Sequence, residues 1–446
     1  MSSLNRMYEM FALHSNSARE VNEPSIALSA GVNWMDSNKF IINLLKEELD
    51  SGLTHKSYGR SSGFKFITDI ISHLESDICG KAFKPSVIMT NGTANASFLI
   101  CSFLKKNNRF KRGDNSLMIN HGFPFYSGLS ESFGLKYSEC LLPKASLIKN
   151  QRYLTPISQV VDKIREIKPR LIYLILPNNP FGEQYSKEDL STLQECVLKE
   201  DSFLIVDRVC MMPWDDFSKN SNVFFSGIER GNVFVVDSFS KAESVSGLRV
   251  GFLLTNKINE EGFTDLIRIK YLNPRSFGTI TLAISRVLSY LNYSIEDTEG
   301  AKYTRMKNLV NKIVEIDYPI LNKQALVPLF EHENIKLYLE ETEKRKQTVM
   351  SNYDYLLNKF KKESLIPISL EAGLSSAVIL DQMKADSELN DVNKLASQFN
   401  VGVLSESCFR STPNNDENYF IRIGLSIPTQ MFTKGIDILY RFYKNK

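Results

Sequence analysis

Residues 235–252 read VVDSFSKAESVSGLRVGF and set a lysine, Lys241, just beyond an apolar run. The run covers Val233 to Val236 and gives way to Ser238 and Ser240, with Arg249 following between Leu248 and Val250. A short apolar stretch that stops in Ser and Gly is the pattern of a buried strand ending in a turn. Lys241 would then stand past a strand end, where open α/β sheets collect their ligands. A lysine amine whose pKa is lowered by burial or by a nearby cation can condense with an aldehyde. Ser238, Ser240 and the forked guanidinium of Arg249 can hold a phosphate. Taken alone, the stretch also fits a polar turn carrying a surface lysine.

The whole chain narrows the choice. Its 446 residues are 43% hydrophobic and 24% charged, a globular balance with length for more than one domain. A formal charge of +3 makes no electrostatic case for a nucleic-acid or membrane surface, so small molecules or proteins are the expected partners. The six cysteines, at 79, 101, 140, 196, 210 and 408, include no CxxC pair, and no histidines cluster at ligand spacing. Reduced thiols and no metal are expected. The first twenty residues lack the apolar core of a secretory signal, and no run of about eighteen apolar residues occurs, which makes the cytoplasm the expected compartment.

Apolar runs at 86–90, 116–120, 171–176, 203–207, 233–237 and 250–254 alternate with amphipathic stretches. This rhythm predicts an α/β fold with a mainly parallel sheet. Helices are predicted over 303–316 and 336–360, then a strand at 374–382 and a helix followed by a strand within 391–405, a smaller α+β domain.

Other strand ends carry suggestive groups. The run at 86–90 leads into Gly92, Thr93 and Ala94 and a predicted helix, whose first N–H groups can face a phosphate. Asn178, Asn179, Pro180 and Gly182 form a turn before Ser186, a predicted helix cap. Asp207 closes the run at 203–207, where its carboxylate can hold a cationic heterocycle nitrogen. Each of these also fits an ordinary loop or cap, but amine, acid and phosphate ligands together describe pyridoxal 5'-phosphate.

On these residues the chain resembles the class I/II aminotransferases, pyridoxal-phosphate enzymes of fold type I. The motifs that carry the resemblance stand in the family's order: YGRSSG (58–63), TNGTANA (90–96), NNPFG (178–182), IVDRV (205–209), SFSKAESVSGLRVG (238–251) and FIRIGLS (420–426). The resemblance implies a seven-stranded-type sheet in a large cofactor domain at 46–295. A small domain would form from residues 296–446, joined by an N-terminal segment at 1–45. It implies that Lys241 is the Schiff-base lysine and proton shuttle, that Asp207 keeps the pyridine nitrogen protonated, and that Asn179 donates to the phenolic oxygen. Thr93, Ala94, Ser238 and Arg249 would bind the phosphate, with Tyr58 reaching it from the second subunit of a homodimer. Arg422 would clamp the substrate carboxylate, and Gly31, with Asn33 and Trp34, lies in the segment expected to shape the substrate pocket. The implied reaction moves an amino group between an L-amino acid and a 2-keto acid. The same fold also hosts lyases, replacement enzymes, synthases and oxidases, and a catalytically silent cofactor-binding regulator is the remaining alternative.

Three positions depart from the commonest family pattern. Phe123 stands where a Tyr or Trp usually stacks on the cofactor, Phe181 replaces a Thr, and Cys210 replaces a tyrosine whose hydroxyl donates to the phenolic oxygen. Arg208 is expected to point away from the ring, because successive strand residues face opposite ways. Arg268 is a candidate for an acidic substrate side chain. The region between Tyr290 and Thr348 is longer than in typical members, and residues 317–328 are a candidate lid or oligomer contact.

Overall fold

The computed structural model describes residues 3–21, 25–29, 31, 33–56, 58–79, 83–142, 152–216, 223–293, 304, 308, 332–361, 364–365, 370–412, 414 and 417–446. The candidate lid at 317–328 lies outside them, as does the predicted helix at 303–316 apart from Thr304 and Asn308.

In chain order the described strands are β1 (Ile26–Ala27), β2 (Ser86–Thr90), β3 (Asn115–Ile119), β4 (Lys136–Cys140), β5 (Leu171–Ile175), β6 (Phe203–Asp207) and β7 (Val233–Ser238). They continue as β8 (Gly251–Thr255), β9 (Ser364–Leu365), β10 (Ser375–Lys384), β11 (Val401–Gly402), β12 (Leu404–Ser405) and β13 (Asn418–Gly424). A seven-stranded sheet runs in the order β2-β8-β7-β6-β5-β3-β4, as expected of an α/β fold. It is mostly parallel: β6 pairs with β7, and β3 with β4 and β5, in parallel, whereas β8 is antiparallel to both β2 and β7. Strands β5 to β8 are buried along their whole length, which is why they read as unbroken apolar runs. Strand β4 escapes that reading because it is an edge strand with half-exposed side chains, so KYSEC carries no apolar run.

Two compact units divide the chain. One comprises Met1–Met35, Lys111–Tyr185 and Lys346–Lys446, and the other comprises Asp36–Phe110 and Ser186–Arg345. Within the first, β12-β13-β10-β9 form a second, antiparallel sheet, and β1 pairs with β11 in parallel. Within the second, the helix Lys187–Lys199 starts at Ser186, whose Oγ accepts the Asp189 N–H at 3.1 Å while Asp189 accepts the Ser186 N–H. This reciprocal cap satisfies two N–H groups that the helix itself leaves open. Among the described residues no helix is long and apolar enough to cross a membrane, and no cluster of His, Cys, Asp and Glu could hold a metal ion.

Candidate active site

Seven of the predicted site residues lie in the unit Asp36–Phe110 with Ser186–Arg345: Tyr58, Thr93, Ala94, Asp207, Ser238, Lys241 and Arg249. Strand pairing brings most of them to one edge. Thr90 at the end of β2 and Ser238 at the end of β7 both pair with Gly251, the first residue of the antiparallel β8. Arg249, two residues before β8, therefore arrives where β2 and β7 finish. Asp207 ends β6, which runs parallel to β7, and is 5% exposed.

This edge is tightly fitted. Gly92 has φ +89°, and a Cβ there would stand 2.7 Å from Nη2 of Arg249. A Cβ on Gly251 would meet the Asp237 carbonyl oxygen at 2.6 Å and Gly92 Cα at 3.0 Å. Both positions need glycine: a side chain at residue 92 would push the Arg249 guanidinium away from the start of the helix Thr93–Lys106, and one at residue 251 would collide with the backbone of Asp237 and Gly92. That helix has no side-chain cap at Gly92, so its opening N–H groups face outward with the positive end of the helix dipole. Helix start, guanidinium and hydroxyls form a donor set suited to a phosphate dianion. Ser238 Oγ is engaged locally: it donates to the Val250 carbonyl oxygen at 3.0 Å and accepts the Ser240 N–H at 3.1 Å. Ser240 Oγ lies 2.8 Å from it. Lys241 is half-buried on the single-turn helix Phe239–Ala242 that starts at this cap. Asp207 Oδ1 accepts the Val209 N–H at 2.9 Å, which fixes the carboxylate at the strand end. Tyr58 is 86% exposed.

Gly31, Phe123, Asn179 and Arg422 belong to the other unit. Arg422 lies on β13 between β10 and β12, opposite Ala377 and Leu404, and is 3% exposed. Its Nη2 donates to the Ser29 carbonyl oxygen and its Nη1 to Asn179 Oδ1 at 3.4 Å. Gly31 approaches the same guanidinium so closely that a Cβ would lie 3.0 Å from Nη1. The Asn179 turn is held by Asn178, whose Nδ2 donates to the His121 carbonyl oxygen at 3.1 Å. Phe123 is half-buried beyond β3, its ring 6.5 Å from that of Phe125.

Residues 23–439 match the family model described as aminotransferase class I and II. The chain belongs to this family. It is 28% identical over 238 residues to a protein named probable aspartate aminotransferase from Methanocaldococcus jannaschii, an alignment that covers 53% of this chain and 58% of that one. It is 24% identical over 293 residues to an aspartate aminotransferase from Pyrococcus horikoshii, covering 65% and 70%. The chain thus spans less than two thirds of the first relative's length. An aminotransferase crystal structure from Mycobacterium tuberculosis superposes with a TM-score of 0.72 at 17% identity, covering 99% of this chain and 96% of that one. A Thermus thermophilus aspartate aminotransferase variant gives 0.69 at 16%, covering 99% and 100%. At such identity the two structures establish the fold.

The departures of this aminotransferase-family chain have structural consequences. Phe181 is buried and stacks on Tyr153 with centroids 4.4 Å apart, while Phe420 and His121 meet it edge-on at 5.1 and 5.5 Å. The larger side chain fills an aromatic cluster beside the Asn179 turn. Arg208 is buried away from solvent and donates both terminal nitrogens to Glu75, at 3.0 and 2.7 Å, with Asp237 at 3.2 Å. Arg268 pairs with Asp265 at 2.9 Å and donates to Ser61 Oγ at 3.2 Å. Cys210 follows in the turn that Arg208 closes, where the Met211 N–H donates to the Arg208 carbonyl oxygen.

Sequence reasoning missed two groups that touch this edge, Glu243 with Arg345 and Glu75 with Arg286. Their partners are 102 and 211 positions away, and an isolated acid or arginine carries no spacing signal.

Proposed function

We propose that the protein is a pyridoxal 5'-phosphate-dependent aminotransferase that moves an amino group between an L-amino acid and a 2-keto acid. The observation that carries this reading is the fitted edge where Gly92, Thr93, Ser238, Lys241 and Arg249 gather beside Asp207. Family membership supports it, and the relatives named above share amino-group transfer.

When bound, pyridoxal 5'-phosphate supplies an aldehyde to hold the amine and a ring that accepts the electron pair left at the α-carbon. The chain's own residues do the rest. The N–H groups of Thr93 and Ala94, the Ser238 hydroxyl and the Arg249 guanidinium would hold the phosphate. The buried carboxyl group of Asp207 would hold a proton on the ring nitrogen. Asn179 would donate to the ring oxygen and Phe123 would cover the ring face. The Lys241 amine would move the proton at the substrate α-carbon. Arg422, whose guanidinium lies so close to Gly31 that a Cβ there would crowd it, would orient the substrate carboxylate through two parallel hydrogen bonds. We assign the exposed Tyr58 to the phosphate of the neighbouring site in a homodimer, and a cytoplasmic location to the protein.

A single-turnover absorbance scan against a panel of amino acids, without keto acid, tests the reading. Transamination converts the bound aldehyde to its amine form and names the donor, and Lys241→Ala abolishes the conversion. Release of ammonia, or consumption of oxygen, overturns it.

A further inference from the structure

Behind Lys241 lies a buried network that binding the cofactor does not itself require. Arg345 donates through Nη2 to the Ala242 carbonyl oxygen at 2.9 Å and to Ser244 Oγ at 2.9 Å, and its Nη1 lies 3.3 Å from Glu243 Oε2. It therefore grips the three residues that follow Lys241. Glu243 Oε1 accepts from Ser285 Oγ at 2.6 Å and from the Tyr338 hydroxyl at 2.8 Å. Arg345, Glu243, Ser285 and Tyr338 are buried. Tyr338 and Arg345 lie on one face of the helix His332–Phe360, two turns apart.

The segment being gripped is short. The helix Phe239–Ala242 has four residues, one turn, too short to be stable alone. Two residues later Ser244 adopts φ +58°, a left-handed conformation that a non-glycine residue does not favour. Its carbonyl oxygen is also tied, by Ser37 Oγ at 3.2 Å. A carbonyl at the end of a helical turn, a carboxylate and a hydroxyl are the acceptors that a planar guanidinium can satisfy together.

We propose that Glu243 and Arg345 are positioning residues for Lys241: they lock the turn that aims its amine, and reach the chemistry only through it. This rests on the function proposed above. Misplacement of a reacting group by about 1 Å can cost up to a hundredfold in rate, so the effect belongs in kcat more than in substrate binding.

The test uses the full-length protein and three variants, Glu243→Gln, Arg345→Met and Arg345→Lys. Pyridoxal 5'-phosphate is added and fixed with borohydride, and the Lys241 peptide carrying it is quantified by mass spectrometry. Melting temperature without cofactor and steady-state kinetics are measured alongside, all below the lowest melting temperature. Arg345→Met should lower both the rate of trapping at Lys241 and kcat by about tenfold or more, with KM for the amino acid changed less than about threefold. Glu243→Gln keeps an acceptor for Ser285 and Tyr338 but leaves Arg345 without its counter-charge, and should show a smaller loss of the same kind. Arg345→Lys, with one ammonium in place of a fork, should recover part of the trapping rate. If the wild type traps cofactor at Lys241 and the folded variants trap it equally fast with unchanged kcat, the positioning role is wrong whatever their melting temperatures. If the wild type traps none, the proposed function falls and this inference falls with it.

Discussion

Replacing Arg208 by Met should cost about 3–5 kcal/mol, and adding Glu75→Met should recover part of it. The basis is a closed ring of four buried charges, each less than about a tenth exposed. Arg208 meets Glu75 at 2.7 Å and Asp237 at 3.2 Å, and Arg286 meets both acids at 2.9 Å. The ring is neutral, so removing one arginine leaves two carboxylates sharing one guanidinium in a site that water does not reach. Removing Glu75 as well leaves the Arg286–Asp237 pair, neutral again. The single variants should therefore be coupled by about 2–3 kcal/mol, within the range for residues of one ionic network. Although burial alone would raise it, Glu75 is held at a pKa of about 2, below the ordinary 4.5, by the Arg208 and Arg286 charges and their hydrogen bonds. That displacement is worth roughly 3 kcal/mol at neutral pH. Because the folded state holds Glu75 ionised, its contribution is present above about pH 4.5 and is lost as pH falls toward 2. Asp237 moves the other way, since its burial and the adjacent Glu75 outweigh the two arginines. The assay is urea unfolding at pH 7 and at fixed cofactor concentration, read by circular dichroism and by fluorescence to check that the transitions coincide. Strict additivity of the two single variants, or a loss under about 1 kcal/mol for Arg208→Met, would refute the ring as a coupled unit.

Two further outcomes follow from the same physics. Burial pushes Glu183 up to about 7, against the pull of the Tyr153 and Leu154 N–H groups and Arg152. Its folded state thus binds an extra proton between about pH 4.5 and 7, and stability falls as pH rises through that window; Glu183→Gln, which keeps an oxygen for both N–H groups, should flatten the wild-type decline in melting temperature between pH 5 and 8. Gly92→Ala should weaken binding of pyridoxal 5'-phosphate by about tenfold or more in a fluorescence titration, because the new Cβ displaces Arg249 and its backbone must hold φ +89°; unchanged affinity would show that Arg249 is not a phosphate ligand.

Legibility followed range along the chain. Strands β5 to β8 declared themselves because each is buried on both faces, and burial of that kind writes a continuous apolar run. The edge strand β4, half-exposed and polar, wrote nothing comparable. Lys241, Asp207 and Arg249 were legible for a related reason: they stand at or next to the ends of such runs, so strand and ligand group are read together. Phe181 was visible only as a departure from a pattern, and its role appeared when Tyr153, His121 and Phe420 were found around it.

The amino-acid sequence by itself determined the α/β rhythm, the order of the strand-end motifs and the chemical set of amine, acid and phosphate donors. All of these are local properties of short segments, governed by side-chain burial and turn chemistry. Only the tertiary structure decided that β8 runs antiparallel and so delivers Arg249 to the edge where Gly92 and Ser238 wait. It also decided that Glu75 and Arg286 close a ring behind Asp207, and that Arg345 grips the turn after Lys241. The physical reason is that a buried charge or guanidinium must find its partner in space. The identity of that partner is set by how distant segments pack and leaves no periodic mark in the chain.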